Sequence, residues 1–189
     1  MRAALPLALF ATALSVSAQT LPPAPPPAPP PWPPASAAEC AVFAREASFA
    51  DSVERADEAA FAEHVHPGAV FLGGAVPARG RAEVVSQWRP IIRSEGITLR
   101  WRAGNVVIGS DPDIAYSTGP SYIERGAPSD GVVSTRPRFV LMTYFSVWVR
   151  DAGPTWRVIY DGGAVLRETD DATAVERHLA SGRTRCPSQ

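Results

Sequence analysis

At Ile97 the spacing of apolar residues changes from that of helices to that of strands. Upstream, Glu39 to Asp57 carries Ala41, Val42, Phe43, Phe49 and Val53, with Arg45, Glu46, Asp51, Glu54 and Arg55 elsewhere on the wheel. Phe49 and Val53 stand four apart, on one helical face. Asp57 is a natural N-cap for a second helix, Glu58 to His64, which Pro67-Gly68 should end. Ala69 to Leu72 reads as a short strand turned by Gly73-Gly74, and Arg79-Gly80-Arg81 as another turn. A third helix follows over Ala82 to Arg93, with Val84, Val85, Trp88, Ile91 and Ile92 as its stripe. Pro90 should kink or shorten it.

Downstream, the period is two. Ile97, Leu99 and Trp101 alternate with Thr98, Arg100 and Arg102. Further strands are expected at Val106 to Ile108, Ile114 to Gly119 and Ser121 to Arg125. Gly126 to Gly131 reads as a hairpin loop, Arg138 to Arg150 as the longest strand, and Trp156 to Asp161 as the last. Helices followed by strands on short turns predict an α+β fold.

This pattern is confined to part of the chain. Residues 1–38 hold one charged residue, Arg2. Residues 1–18 read as a signal peptide, with an apolar run from Ala3 to Leu14 and small residues at Val16-Ser17-Ala18. The run falls short of the roughly 20 residues that span a bilayer. The expectation is export to the periplasm or medium, with no membrane attachment after cleavage. Residues 19–38 form a spacer in which 10 of the 13 residues from Pro22 to Pro34 are proline. Such a run is extended polyproline II or disordered. Docking of the spacer into an aromatic groove through Trp32 is the alternative.

The other 151 residues carry 17 arginines and 19 acids, and lysine is absent from the chain. A small negative charge argues against nucleic acid as a partner. Hydrophobic residues make up 46% of the chain, which argues against disorder. The expected division is a globular domain over 39–164 and a helical tail over 165–189. In the tail, Thr173 to Glu176 fits a capping box and Gly182 a stop. Cys40 and Cys186 bracket the domain. In an oxidising compartment they would pair, and in a reducing one they would stay free thiols.

Four local stretches resemble the nuclear transport factor 2-like superfamily, in particular its SnoaL-like branch, domain of unknown function 4440. They are HPGAVFLGG from His66, RGRAEVVSQW from Arg79, AYSTGP from Ala115 and FSVWVRDAGPTWRVIYDGG from Phe145. The resemblance implies a cone, in which a curved antiparallel sheet packs on three helices as a cystatin-like α+β roll. It also implies a cavity at the open end and a homodimer formed through the sheet. The carboxylate base that steroid isomerases and polyketide cyclases of the superfamily carry after the second helix is not matched. The corresponding segment, Val70 to Val76, has neither carboxylate nor hydroxyl.

Parity divides Arg138 to Arg150 into an apolar face and a mixed one. The mixed face holds Arg138, Tyr144, Ser146 and Trp148. Either face would serve as the cavity wall, and parity leaves that open. If the mixed face lines the cavity, these four, with Tyr116 and Trp88, are the candidate ligand-binding residues. Arg138 would then suit an anionic group. Asp161, at a strand end before Gly162-Gly163, is a candidate general base, with His66 or Tyr144 as partner. Its bland role is capping a turn. His64 and His66 lack the companions of a metal site, and no cofactor fingerprint is present. Three functions follow: a binding module for a small apolar or anionic molecule, an isomerase, lyase or hydrolase using Asp161, and an association domain without ligand.

Overall fold

The computed structural model describes residues 34–72, 76–126, 135–151 and 153–187. The expected signal peptide, the spacer up to residue 33, Gly73-Gly74 and most of the Gly126 to Gly131 loop lie outside the described residues.

The first helix, α1 (Ala37–Glu54), starts at a capping box. Ser36 Oγ accepts from the Glu39 amide at 3.2 Å, and the Ser36 amide donates to Glu39 Oε2 at 2.7 Å. Such reciprocal bonds satisfy amides that the first helical turn leaves free. The helix ends at Glu54, before Asp57, because Asp57 caps α2 (Glu58–His64) through the Ala60 amide at 2.9 Å. The chain then passes directly into β1 (Val65–Phe71). Pro67-Gly68 therefore lies inside a strand, where the register shifts between Val65 and Val70. A bulge accommodates a proline that cannot donate to the ladder.

A two-residue strand, β2 (Ala78–Arg79), precedes α3 (Arg81–Ile92). Gly80 between them has φ of 80°, a conformation that favours glycine. Pro90 sits in the last turn of α3, and the helix continues two residues beyond it. The strands β3 (Ile97–Trp101), β4 (Asn105–Ile108), β5 (Ile114–Arg125) and β6 (Phe139–Arg150) follow. The longest is β7 (Trp156–Thr169), which was expected to stop at Asp161. The division expected between residues 164 and 165 thus falls inside a strand. The tail helix α4 (Ala172–Leu179) is capped by Asp171, whose carboxylate accepts the Thr173 amide at 2.9 Å. Asp171 takes the cap role expected of Thr173.

The seven strands form one sheet in the order β2-β1-β7-β6-β5-β3, with β4 also on β5. It is mixed rather than wholly antiparallel, because β1 runs parallel to β7. The sheet curls into a half-barrel, and the fold is α+β. The core between α1, α2, α3 and the concave face centres on Phe49. Its ring lies 5.0 Å from Phe61, 5.4 Å from Trp101 and 5.9 Å from Trp148. Trp148, Phe49 and Phe61 are fully buried. Burying aromatics of this size supplies much of a small domain's stability.

A second, smaller cluster joins Phe139, Leu141 and Tyr122 to Val175 of α4. Beyond α4 the chain runs over the bend between β3 and β4. The Arg183 amide donates to Ala103 O at 2.7 Å, and Cys186 is disulfide-bonded to Cys40 on α1. No described helix is long and apolar enough to cross a membrane.

Candidate functional site

The concave face of the sheet and α3 enclose a cavity of about 150 Å³. Its apolar walls come from Trp88 and Ile91 of α3, Ile97, Leu99 and Trp101 of β3, Ile123 of β5 and Met142 of β6. Its polar side chains are Ser121, Tyr144 and Asp161. Gly162 and Gly163 complete the wall beside Asp161. A Cβ on Gly163 would lie 3.1 Å from Thr143 O and 3.2 Å from Met142 Cε. Glycine here lets β7 continue along β6 without a clash, and so no turn is needed after Asp161.

The mixed face of β6 is the inward one, with Tyr144, Ser146 and Trp148 all buried. The hydroxyl of Tyr144 is buried and has no hydrogen-bond partner among the described residues. Ser117 and the Gly104 backbone are close to it without meeting hydrogen-bond geometry. Burial raises the Tyr144 hydroxyl well above the usual phenol range, and the carboxyls of Glu46 and Asp161 add to this. Asp161 accepts from Ser146 Oγ at 2.8 Å. Burial, then the nearby Glu46, pushes Asp161 up to about 8.

Behind this wall stands Glu46, which is fully buried. Trp101 Nε1 donates to its Oε1 at 2.8 Å, Trp148 Nε1 to its Oε2 at 2.9 Å, and Ser117 Oγ to its Oε2 at 2.5 Å. Burial raises its proton affinity, opposed by these donors. Glu46 was not among the residues expected to act. The signal was present, because Val42, Glu46, Phe49 and Val53 form one i, i+4, i+7, i+11 stripe and are all buried. A lone acid on an otherwise apolar stripe marks a buried carboxylate with dedicated partners.

Of the residues expected to bind ligand, Trp88 and Tyr144 line the cavity, while Ser146 and Trp148 sit in the layer behind it. Two are displaced. Arg138 precedes β6, its side chain is 62% exposed, and it pairs with Glu124 and covers the Phe139 ring. Tyr116 is on the outer face of β5, 43% exposed, because the inward positions are its neighbours Ala115 and Ser117. The expected pairing of Asp161 with His66 is also absent. His66 Nε2 is 3.3 Å from Asp151 Oδ1, and its Nδ1 accepts from the Gly68 amide at 3.0 Å. The bulge in β1 turns His66 away, and the β1 residue opposite Asp161 is Phe71. His64 is buried, with Nδ1 2.7 Å from Ala60 O and Nε2 2.6 Å from Ser48 Oγ. Among the described residues, no cluster of three or more His, Cys, Asp or Glu could hold a metal.

A curled mixed sheet closed by three helices over an apolar cavity is the nuclear transport factor 2-like fold. A ketosteroid isomerase-like protein from Erwinia carotovora atroseptica matches with a TM-score of 0.56 and 18% identity, over 69% of this chain and 98% of that one. A nuclear transport factor 2-like superfamily protein from Salmonella enterica matches at 0.54 and 12%, over 70% and 93%. A similar protein of unknown function from Pseudomonas putida matches at 0.54 and 13%, over 70% and 89%. At these identities the likeness is one of fold. No protein-family model matches the chain. No curated protein matches it.

Proposed function

We propose that the cavity binds one small, uncharged, largely apolar molecule whose polar group meets Tyr144 and Asp161. The observation that carries this reading is an apolar cavity lined by Asp161 and Tyr144, with the Tyr144 hydroxyl buried and without a hydrogen-bond partner among the described residues. Buried polar groups are nearly always hydrogen-bonded, and a ligand would supply the missing partner. The volume suits a single-ring molecule. An anionic ligand is disfavoured, because Arg138 is outside and no described cation lines the cavity. Titration with cyclohexanone, read by fluorescence of Trp88 and Trp101, tests this. Saturable quenching is expected, and Leu99→Trp, which fills the space, should abolish it. The absence of any saturable change contradicts the reading.

A second reading is acid–base chemistry on the same ligand. It is favoured by a cavity carboxyl whose proton affinity lies close to neutral pH. Exchange of the hydrogens beside the cyclohexanone carbonyl in deuterium oxide should then be faster with the wild type than with Asp161→Asn. Equal rates contradict it.

We also propose that two copies pair through the outer face of the sheet. There Ile114 is 46% exposed, Tyr116 stands beside it, and Phe145, stacked on Tyr160, is half-buried. Tyr116→Asp should convert a dimer to a monomer in sedimentation. Export remains part of the proposal, supported by the leader and by the disulfide.

A further inference from the structure

The outer face of the sheet carries a second, open groove of about 330 Å³, between β7 and α4. Leu141 forms its floor, on the face of β6 opposite to Tyr144 and Ser146. Arg167 pairs with Leu141 across the ladder and therefore shares that outer face. The register shifts here, because Val165 pairs with Met142 and Leu166 is left over. The bulge turns Leu166 to the groove beside Arg167, where regular alternation would send it to the other face.

The facing wall is one helical stripe. Ala174, Arg177, His178 and Ser181 are spaced i, i+3, i+4, i+7, and all line the groove. This wall is held in place. His178 Nε2 lies 2.8 Å from Met142 O and 3.1 Å from Ser121 O, so this nitrogen carries a proton and ties α4 to β5 and β6. Val175 packs with Phe139 and Leu141, and the disulfide at Cys186 fixes the chain beyond α4.

The apolar floor thus has a cation on each wall, and neither is hydrogen-bonded to an acid. Arg167 makes no hydrogen bond or ion pair among the described residues. Arg177 is 3.8 Å from Asp171 Oδ2, beyond hydrogen-bond distance, while Asp171 Oδ1 caps α4 through the Thr173 amide. Among the described residues, no acid lines the groove. Arg177 and His178, in the last turn of α4, also suit the helix dipole, but Arg167 on a strand has no such role.

We propose that this groove is a second ligand site, for a small organic carboxylate. Guanidinium groups hold a carboxylate through paired N–H···O bonds, and the apolar part of the molecule lies on Leu141, Leu166 and Ala174. Both arginines are exposed, so each contact is weak and the expected Kd is on the order of 1 mM. The site is separate from the cavity on the concave face and does not depend on a ligand there.

Benzoate titrated into the full chain at constant ionic strength tests this, read by amide NMR. Saturable shifts are expected at Arg167 and from Ala174 to Ser181. Arg167→Gln combined with Arg177→Gln should weaken binding about fivefold or more. Leu99→Trp, which fills the concave cavity, should leave it unchanged. Benzyl alcohol, the uncharged counterpart, should not shift these amides. No saturable shift at them, equal affinity in the double variant, or an equal response to benzyl alcohol each overturns the proposal. Shifts confined to the indoles of Trp88 and Trp101 also overturn it, and assign benzoate to the concave cavity. Failure of cyclohexanone to bind removes the reading of that cavity alone and leaves the benzoate result standing.

Discussion

Trp148 Nε1 lies 2.9 Å from Glu46 Oε2, joining the C-terminal part of β6 to the middle of α1 inside the core. The same acid is held by Trp101 and Ser117, so one side chain ties one helix to three strands. A buried carboxyl is costly unless fully hydrogen-bonded, and this one has three donors.

Asp161 makes the protein sensitive to alkali. Its folded value is raised to about 8 from an ordinary 3.8. Between those values the unfolded chain has released this proton while the folded one keeps it. Stability from this group is therefore complete below about pH 4 and is lost as pH rises through about 8. Asp161→Asn should flatten that decline and be more stable than the wild type at pH 9, by a few kcal/mol at most. Urea denaturation at a series of pH values measures this. Parallel curves for the two proteins would refute it.

His64 acts at the other end of the range. Burial lowers it to about 4 from 6.5, so the folded state keeps it neutral. Its contribution is present above about pH 6.5 and is lost as pH falls through about 4. His64→Gln should lose less stability than the wild type between pH 6.5 and 4, by about 2 kcal/mol. An unchanged acid limb would show that His64 does not titrate in this way.

The disulfide Cys40–Cys186 closes a separation of 146 residues and fixes the C-terminal tail on α1. Constraint of the unfolded chain over so long a loop predicts a loss of about 2–5 kcal/mol on reduction or in Cys186→Ser. Thermal melting with and without reductant tests this. No shift would mean that the unfolded chain is already compact.

Gly119 lies where β5 passes the bend between β3 and β4. A Cβ there would meet Arg102 O at 2.2 Å and Gly104 N at 2.8 Å, both backbone atoms that cannot swing aside. Gly119→Ala should cost about 2 kcal/mol or more and slow recovery of native fluorescence little, if the bend forms late. A neutral effect on the denaturation midpoint would show that the bend relaxes freely.

Local signals explain which parts of the fold were legible. Asp57 as a cap and the alternation from Ile97 marked α2 and β3 at the residues observed. Pro67-Gly68 and Gly162-Gly163 misled, because each reads as a terminator along the chain. In the sheet the first pair sits in a bulge, and the second lies where a neighbouring strand leaves little room for a side chain. Parity grouped Tyr144, Ser146 and Trp148 correctly, but it could not choose the inward face, which depends on where the helices dock. Arg138 shares their parity but stands at the end of the strand, where its exposed guanidinium pairs with Glu124 and covers the Phe139 ring outside the cavity. Glu46 was overlooked because an acid on a helix is ordinarily solvated. Its meaning came from the stripe it shares with Val42, Phe49 and Val53.

The Tyr144 hydroxyl gives the most direct test of ligand binding. Tyr144→Phe removes a buried hydroxyl that has no hydrogen-bond partner among the described residues, so the variant should be as stable as the wild type or more so, by about 1 kcal/mol. The same variant should bind cyclohexanone about five- to tenfold more weakly at pH 7, since one donor to the carbonyl is lost. Weaker binding by a protein of undiminished stability is the result predicted. Undiminished affinity in Tyr144→Phe, measured beside wild-type protein that binds the probe, would contradict the account.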